Sequence, residues 1–292
     1  MPSISQHQSA DYTKLLLIGH SGAGKTGALV SLVLAGYKIR VLDLDNGMDI
    51  VANYLTTPTS PYYKEVQEKK INLDDAVRYV TLTEPMKNIN GKIIPARATV
   101  WNKAMMMMTK WKDGDLDLGN PGEWGPDTIL VIDSLSKLSQ RGFQWVQSMN
   151  GRLGSDAINY EYQRDIGQAQ TGVQGFLDLI ADSNFKTNVI VISHIAMVRE
   201  RQQGAPAKPE EQNLKAFPEA LGSALLPKIP RGFNNVIQAA TIGSGIGTKH
   251  KLLTTSQGEV DLKTSAPSNL KRDYPIETGL AEIFAALRKT SP

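Results

Sequence analysis

The chain contains no cysteine. Disulfides and thiolate metal sites are therefore excluded, which fits a reducing cytoplasm. Its four histidines, His7, His20, His194 and His250, are scattered and show no zinc spacing. No apolar run approaches the ~20 residues of a membrane-spanning helix, so no membrane is expected. The opening MPSISQHQSADYT lacks the basic and apolar regions of a secretory leader and reads as a mobile tail over residues 1–13. Charge of one sign is scarce as well: 32 Lys and Arg against 29 Asp and Glu leave a net charge of +3. That excess is too small to argue for nucleic acid on electrostatics alone. Internal repeats and long low-complexity tracts are absent too.

The 292 residues suit a single α/β domain with insertions, spanning residues 14–292, and are ample for a self-sufficient core. Short apolar runs predict buried strands at Lys14–Ile18, Lys38–Leu44, Val77–Leu82, Thr128–Asp133 and Asn188–Ser193. Helical spacing predicts helices over Gly24–Gly36, Arg97–Lys112, Leu135–Met149, Ala157–Ala181 and Glu277–Lys289. The methionine run 105–108 reads as an adaptable core-facing stretch of the second of these. MKNINGKIIP at 86–95 reads as a small hairpin, Asp113–Pro126 as a loop, and Gln202–Glu211 as a polar, proline-rich mobile segment. Further strands are expected at Val236–Ile242, Lys249–Thr254 and Glu259–Lys263, with a hairpin signal in SQG at 256–258. Alternating strands and helices predict a mainly parallel central sheet covered on both faces, with the later strands as an antiparallel C-terminal extension.

Gly19–Thr26 reads GHSGAGKT, a complete G-x-x-x-x-G-K-[ST] between an apolar strand and a helix. Glycines let the backbone curl so that successive N–H groups face an anion. The nucleotide contact is the loop as a whole: Gly19, His20, Ser21, Gly22, Ala23, Gly24, Lys25, Thr26 and the following Gly27. His20 is an exposed loop residue with no role of its own. Lys25 is placed to reach the β- and γ-phosphates of ATP, and the Thr26 hydroxyl to ligate Mg²⁺. The strand TILVID ends in Asp133, a second metal partner; the plain alternative is a helix cap, a role better suited to Ser134. VLDLDNG brings Asp43 and Asp45 to the carboxyl end of the second strand, on one side if the strand continues. Asp45 is the candidate base for water activation and Asp43 its support, against the alternative of a solvated acidic turn. His194 ends NVIVIS and either senses the γ-phosphate or is a satisfied structural residue.

This order of motifs, GHSGAGKT, VLDLDNG, WGPDTILVIDSL and NVIVISH before a long polar loop, resembles the RecA-type P-loop ATPase core. It is most similar to the core-only phage members, the Sak-type single-strand annealing ATPases, over about Lys14 to Lys263. The resemblance implies an ATPase with Lys25, Asp45, Asp133 and His194 at the reacting centre, although aspartate stands at 45 where relatives carry glutamate. It implies two DNA-binding loops, near Gln140–Gln170 and Arg199–Arg231. Candidate single-stranded DNA contacts are Arg141, Arg152, Arg164, Arg199, Arg201, Lys228 and Arg231. Phe143, Trp145, Tyr160 and Tyr162 either stack on bases or pack in the core. It further implies a homo-oligomer, ring or filament, with basic residues from a neighbour completing each ATP site; Lys249 and Lys251 stand in a plausible region. A single-strand-binding protein is an expected partner, and the cytoplasm, of a bacterial host for a phage protein, the expected location. Three other readings stand beside this one. They are a helicase-like motor, for which the short tail leaves no partner domain, a small-molecule kinase with Arg199 and Arg201 in its lid, and an ATP-dependent assembly scaffold.

Overall fold

The computed structural model describes residues 11–155, 160–199, 214–243 and 247–288. The N-terminal ten residues and Gln202–Glu211, both expected to be mobile, lie outside this range, as does Arg201.

One eight-stranded sheet organises the chain. Its strands are β1 (Lys14–Gly19), β2 (Lys38–Asp43), β3 (Val77–Thr81), β4 (Gly125–Asp133), β5 (Thr187–Ser193), β6 (Asn235–Ile242), β7 (Lys249–Leu253) and β8 (Asp273–Pro275). The spatial order is β8-β7-β6-β1-β5-β4-β2-β3. All pairings from β3 to β6 are parallel, whereas β7 and β8 add antiparallel. β5 thus lies between the strand that leads into the glycine loop and the strand that ends at Asp133. This is the RecA-like α/β architecture the motif order implies.

The central strands are apolar on both faces because helices cover both. Leu15 and Leu17 of β1 face one core cluster, with helix α1 (Leu29–Leu34) and the C-terminal helix Gly279–Arg288. Leu16 and Ile18 face the other, with helices at Val100–Thr109, Leu135–Met149 and Tyr160–Ala181. α1 closes with the N–H of Tyr37 on the carbonyl of Leu32 and that of Gly36 on Val33, with Gly36 at φ +90°. That double bond is a Schellman stop, and it needs the left-handed conformation glycine adopts freely.

Several local expectations shift. α1 is shorter than Gly24–Gly36, because residues 24–28 form turns rather than regular helix. The helix expected from Arg97 starts at Val100, whose N–H donates 2.6 Å to the buried carboxylate of Glu84. Met107 and Met108 are buried in its core-facing side, whereas Met106 is exposed. The 86–95 hairpin is present, Met86–Ile89 against Lys92–Pro95, turning through Asn90 and Gly91, both at positive φ. The 113–126 loop contains part of a second hairpin, Trp111–Asp113 with Leu116–Gly119, held by buried Trp111 against Trp124. A third hairpin, Ile195–Arg199 with Leu214–Pro218, follows His194 where only a polar loop was expected. Glu259–Lys263 is not a strand. Val260 is buried and makes isolated bridges to Ala216 and Gln257, and Lys263 bridges Val236. The sheet's last strand is instead β8.

Candidate nucleotide site

Because β1, β2, β4 and β5 run parallel, their carboxyl ends open on one edge, and the motif residues converge there. Three glycines shape the loop. A side chain at Gly19 would meet the Ala239 carbonyl at 2.5 Å, so its absence lets β1 lie against β6. Gly22 and Gly24 have φ of +77° and +86°. Lys25 is buried and folds back on its own loop, donating from Nζ to the carbonyls of Gly19 and His20, each at 2.8 Å. Burial lowers its pKa, and the carboxylates of Asp133 and Asp45 oppose that shift. His20 is exposed, as expected.

Thr26 donates its hydroxyl to Asp133 Oδ2 at 2.6 Å. Asp133 is 3% exposed, and its pKa is raised to about 6. Burial is the main cause and the nearby charges of Asp45 and Asp43 add to it, whereas the Thr26 hydrogen bond and Lys25 pull the other way. A hydroxyl and a costly buried carboxylate side by side are a fitting donor pair for Mg²⁺, a hard cation. Among the described residues no group of three or more His, Asp or Glu side chains is arranged to hold a metal. The pair therefore suits an ion that takes its remaining ligands from water and nucleotide phosphates. Ser134 caps the following helix, accepting from the Lys137 N–H at 3.4 Å.

The two acids of VLDLDNG separate. The strand stops at Asp43, and the chain turns at Asn46, a non-glycine residue at φ +55°. Asp43 is buried in that turn, accepting from the Gly47 N–H at 3.0 Å and the Thr81 hydroxyl at 3.4 Å. Asp45 faces the cleft. Its Oδ2 lies 3.5 Å from His194 Nε2, and its buried Oδ1 has no hydrogen-bond partner. The expectation of two carboxylates on one side is thereby corrected: Asp43 holds the turn and Asp45 faces the site. The other ring nitrogen of His194, Nδ1, is 3.5 Å from Lys25 Nζ. His194 thus bridges the phosphate-loop lysine and the candidate base.

These groups line a cleft of about 440 Å³. Its far walls come from residues no motif marks: Ile50, Tyr54 and Tyr62 on one side, His250, Ile276 and Glu277 on the other. His250, scattered in sequence, reaches the site because β7 folds back beside β6, where its Nδ1 lies 3.3 Å from Thr241 Oγ1.

Among the described residues, the basic ones expected to contact DNA or a neighbour's nucleotide do not line this cleft. Arg152 is held by the buried carboxylate of Asp165, with Nε at 3.0 Å from Oδ2 and a second bond to Oδ1. Arg141 bonds Gln144, and its Nε is buried without a partner. Arg164, Lys228 and Arg231 are exposed. Arg199 ends the hairpin strand Ile195–Arg199; its side chain lies outside the described residues. Lys249 is exposed, and Lys251 is paired with Asp273 at 2.8 Å. Phe143 and Tyr162 stack edge to face at 5.3 Å, and Trp145 packs on the core. Tyr160 is exposed.

Residues 11–260 match the AAA_24 family, described as an AAA domain. No curated protein matches the chain. Among solved structures, the flagellar accessory protein FlaH from Methanocaldococcus jannaschii is similar at 11% identity and TM-score 0.41, covering 90% of this chain and 84% of that one. A KaiC-like protein from the hyperthermophilic archaeon Pyrococcus horikoshii is similar at 12% identity and TM-score 0.36, with 91% and 85% covered. The RadB recombinase is similar at 9% identity and TM-score 0.39, with 83% and 80% covered. The glycine loop, its lysine and threonine, and the strand-ending aspartate stand inside the matched span, and the chain belongs to the AAA_24 family of AAA domains.

Proposed function

We propose that the protein binds and hydrolyses Mg·ATP as a homo-oligomer, ring or filament, and uses the nucleotide state to control single-stranded DNA held for annealing or homologous recombination. The observation that carries the ATPase reading is the convergence of Lys25, Thr26, Asp133, Asp45 and His194 on one cleft. Thr26 and Asp133 would hold Mg²⁺, which would supply neutralising charge to the triphosphate. Lys25 exchanges the carbonyls of Gly19 and His20 for phosphate oxygens. Asp45 takes the proton of the attacking water at its unpartnered Oδ1 as the water oxygen bonds to the γ-phosphorus and the bridging P–O bond breaks. His194 orients Asp45 and registers whether the γ-phosphate is present.

Charge supports the oligomer. Among the described residues lining the cleft, Lys25 is the one lysine or arginine. One cation is little for a triphosphate in a transition state, and a neighbouring subunit is the natural source of another. DNA is supported by the motif resemblance and by the exposed Arg164, Lys228 and Arg231.

A second reading, an ATP-dependent assembly protein with a protein partner, is favoured by one observation. Arg152 and Lys215, both in the segments expected to hold DNA, are already paired with Asp165 and Asp261. ATP hydrolysis measured with and without single-stranded DNA separates the two. The DNA reading expects stimulation that Lys25→Ala abolishes; hydrolysis indifferent to DNA leaves the assembly reading in its place.

A further inference from the structure

β7 opens with Lys249, His250 and Lys251, three basic side chains in succession. Pleating sends alternate residues of a strand to opposite faces. Leu252 is buried in the core cluster that holds α1, so His250 shares that face and the two lysines take the other. Lys251 is paired there with Asp273. The ionisable group that β7 turns toward the phosphate-loop side is therefore His250.

The sheet register carries it to the loop itself. β6 pairs with β1 as far as Gly19 against Ala239, where the glycine loop begins, and then runs on to Ile242. His250 stands opposite Thr241, two residues beyond that level. β7 and β5 lie on opposite sides of β1, so His250 and His194 flank the loop. A β-carbon at Gly24 would stand 3.9 Å from His250 Cβ and 3.3 Å from Ile276 Cγ1, which puts the loop backbone close against both residues. The Ile276 N–H on the His250 carbonyl at 3.2 Å fixes the strand at this point.

The plain alternative is a packing histidine with its nitrogens satisfied in place. The ring is half-buried, lines the cleft, and has Nδ1 at 3.3 Å from the Thr241 hydroxyl. Nε2 has no partner among the described residues. A neutral imidazole that accepts from Thr241 at Nδ1 carries its proton on Nε2, and a protonated one carries a proton there as well. In both forms Nε2 is a donor.

We infer that His250 is a phosphate-binding residue whose Nε2–H donates to the α/β-phosphate part of the nucleotide. It stands beside Gly24, in the stretch of loop whose backbone N–H groups cradle those phosphates. The inference rests on the nucleotide reading of the site. A contact to phosphates that stay bound throughout hydrolysis holds substrate and transition state alike, so it acts on affinity and leaves kcat unchanged.

The test is calorimetric titration of the full chain with ADP and with a non-hydrolysable ATP analogue, both with Mg²⁺, in wild type, His250→Leu and His250→Gln. Leucine keeps an apolar contact with Ile276 and removes the donor, whereas glutamine keeps a donor near the Nε2 position. His250→Leu is expected to weaken both ligands about tenfold or more, and His250→Gln to bind within about threefold of wild type. The KM for ATP should rise in His250→Leu by the same factor. Should His250→Leu not fold, His250→Asn keeps a partner for Thr241 without the Nε2 donor and is expected to show the same loss. Unchanged affinity in the variants that lack the donor, equal loss in His250→Gln, a loss confined to the ATP analogue, or a fall in kcat overturns the assignment. Wild type that binds neither ADP nor the analogue would instead sink the nucleotide reading itself.

Discussion

At the scale of single residues, the site is a set of groups whose cost in the folded state is the counterpart of their use. Asp133 shows this most directly. Its folded pKa of about 6 stands above the usual aspartate range, so the group contributes least when ionised. Its stabilising contribution is complete below the unfolded pKa and is lost as the pH rises through the folded one. Asp133→Asn removes that cost. The metal-free variant is expected to exceed wild type at pH 7.5 by about 1–3 kcal/mol, with the difference closing as the pH falls toward about 4. Urea unfolding at the two pH values checks this, and a variant less stable than wild type at pH 7.5 would contradict the assignment. The same titration makes Mg·nucleotide binding strengthen between pH 5 and 7, because the metal competes with a proton. Asp45 is read differently. Its free Oδ1 points to proton transfer rather than binding, so Asp45→Asn should lower kcat by about a hundredfold or more with little change in the KM for ATP. A rise in KM with kcat preserved would move Asp45 out of the role of base.

At the scale of elements, the turn after β2 and the connection between the helices Leu135–Met149 and Tyr160–Ala181 decide which charged residues are available. The alternation of strand residues put Asp43 and Asp45 on one side, but the strand ends at Asp43 and the Gly47 amide claims it. In the helix connection, Arg152 carries a buried partner in Asp165 rather than an open guanidinium. Arg152→Ala takes away that carboxylate's ionic partner and leaves it bonded to the Asn150 amide. Tm is therefore expected to fall by several degrees, with single-stranded DNA affinity of the folded variant unchanged. Weakened DNA binding at unchanged Tm would restore Arg152 to the interface. The 195–218 hairpin shows a limit of sequence reading at this scale. Its strands are five residues each and hold few signals apart from their pairing.

At the scale of the whole molecule, the sheet order brings residues far apart in sequence to one edge, and among the described residues the cleft is short of positive charge. An assembly that completes it should depend on the nucleotide. Sedimentation velocity is expected to show larger species with Mg²⁺ and a non-hydrolysable ATP analogue than without, and Lys25→Ala should not respond. A monomer at all nucleotide concentrations would leave the charge deficit to be met from within the chain. Among the described residues no helix is long and apolar enough to cross a membrane.

The sequence by itself determined the phosphate loop and the strands behind it. Those features are local: glycines at 22 and 24 permit a positive φ whatever lies around them, and continuous apolar runs are buried strands in almost any α/β context. It also determined that Asp133 ends one strand and that His194 stands at the end of another. Tertiary structure alone decided which acid faces the cleft, that Arg152 and Lys251 are occupied by Asp165 and Asp273, and that His250 shares a site with Lys25. It decided as well that Glu259–Lys263, alternating like a strand, pairs only at isolated bridges while Asp273–Pro275 takes the sheet edge. The physical reason is common to all of these. Each depends on which partner a residue meets across the fold, and hydrogen bonding and burial are settled by that partner rather than by the residue's neighbours in the chain.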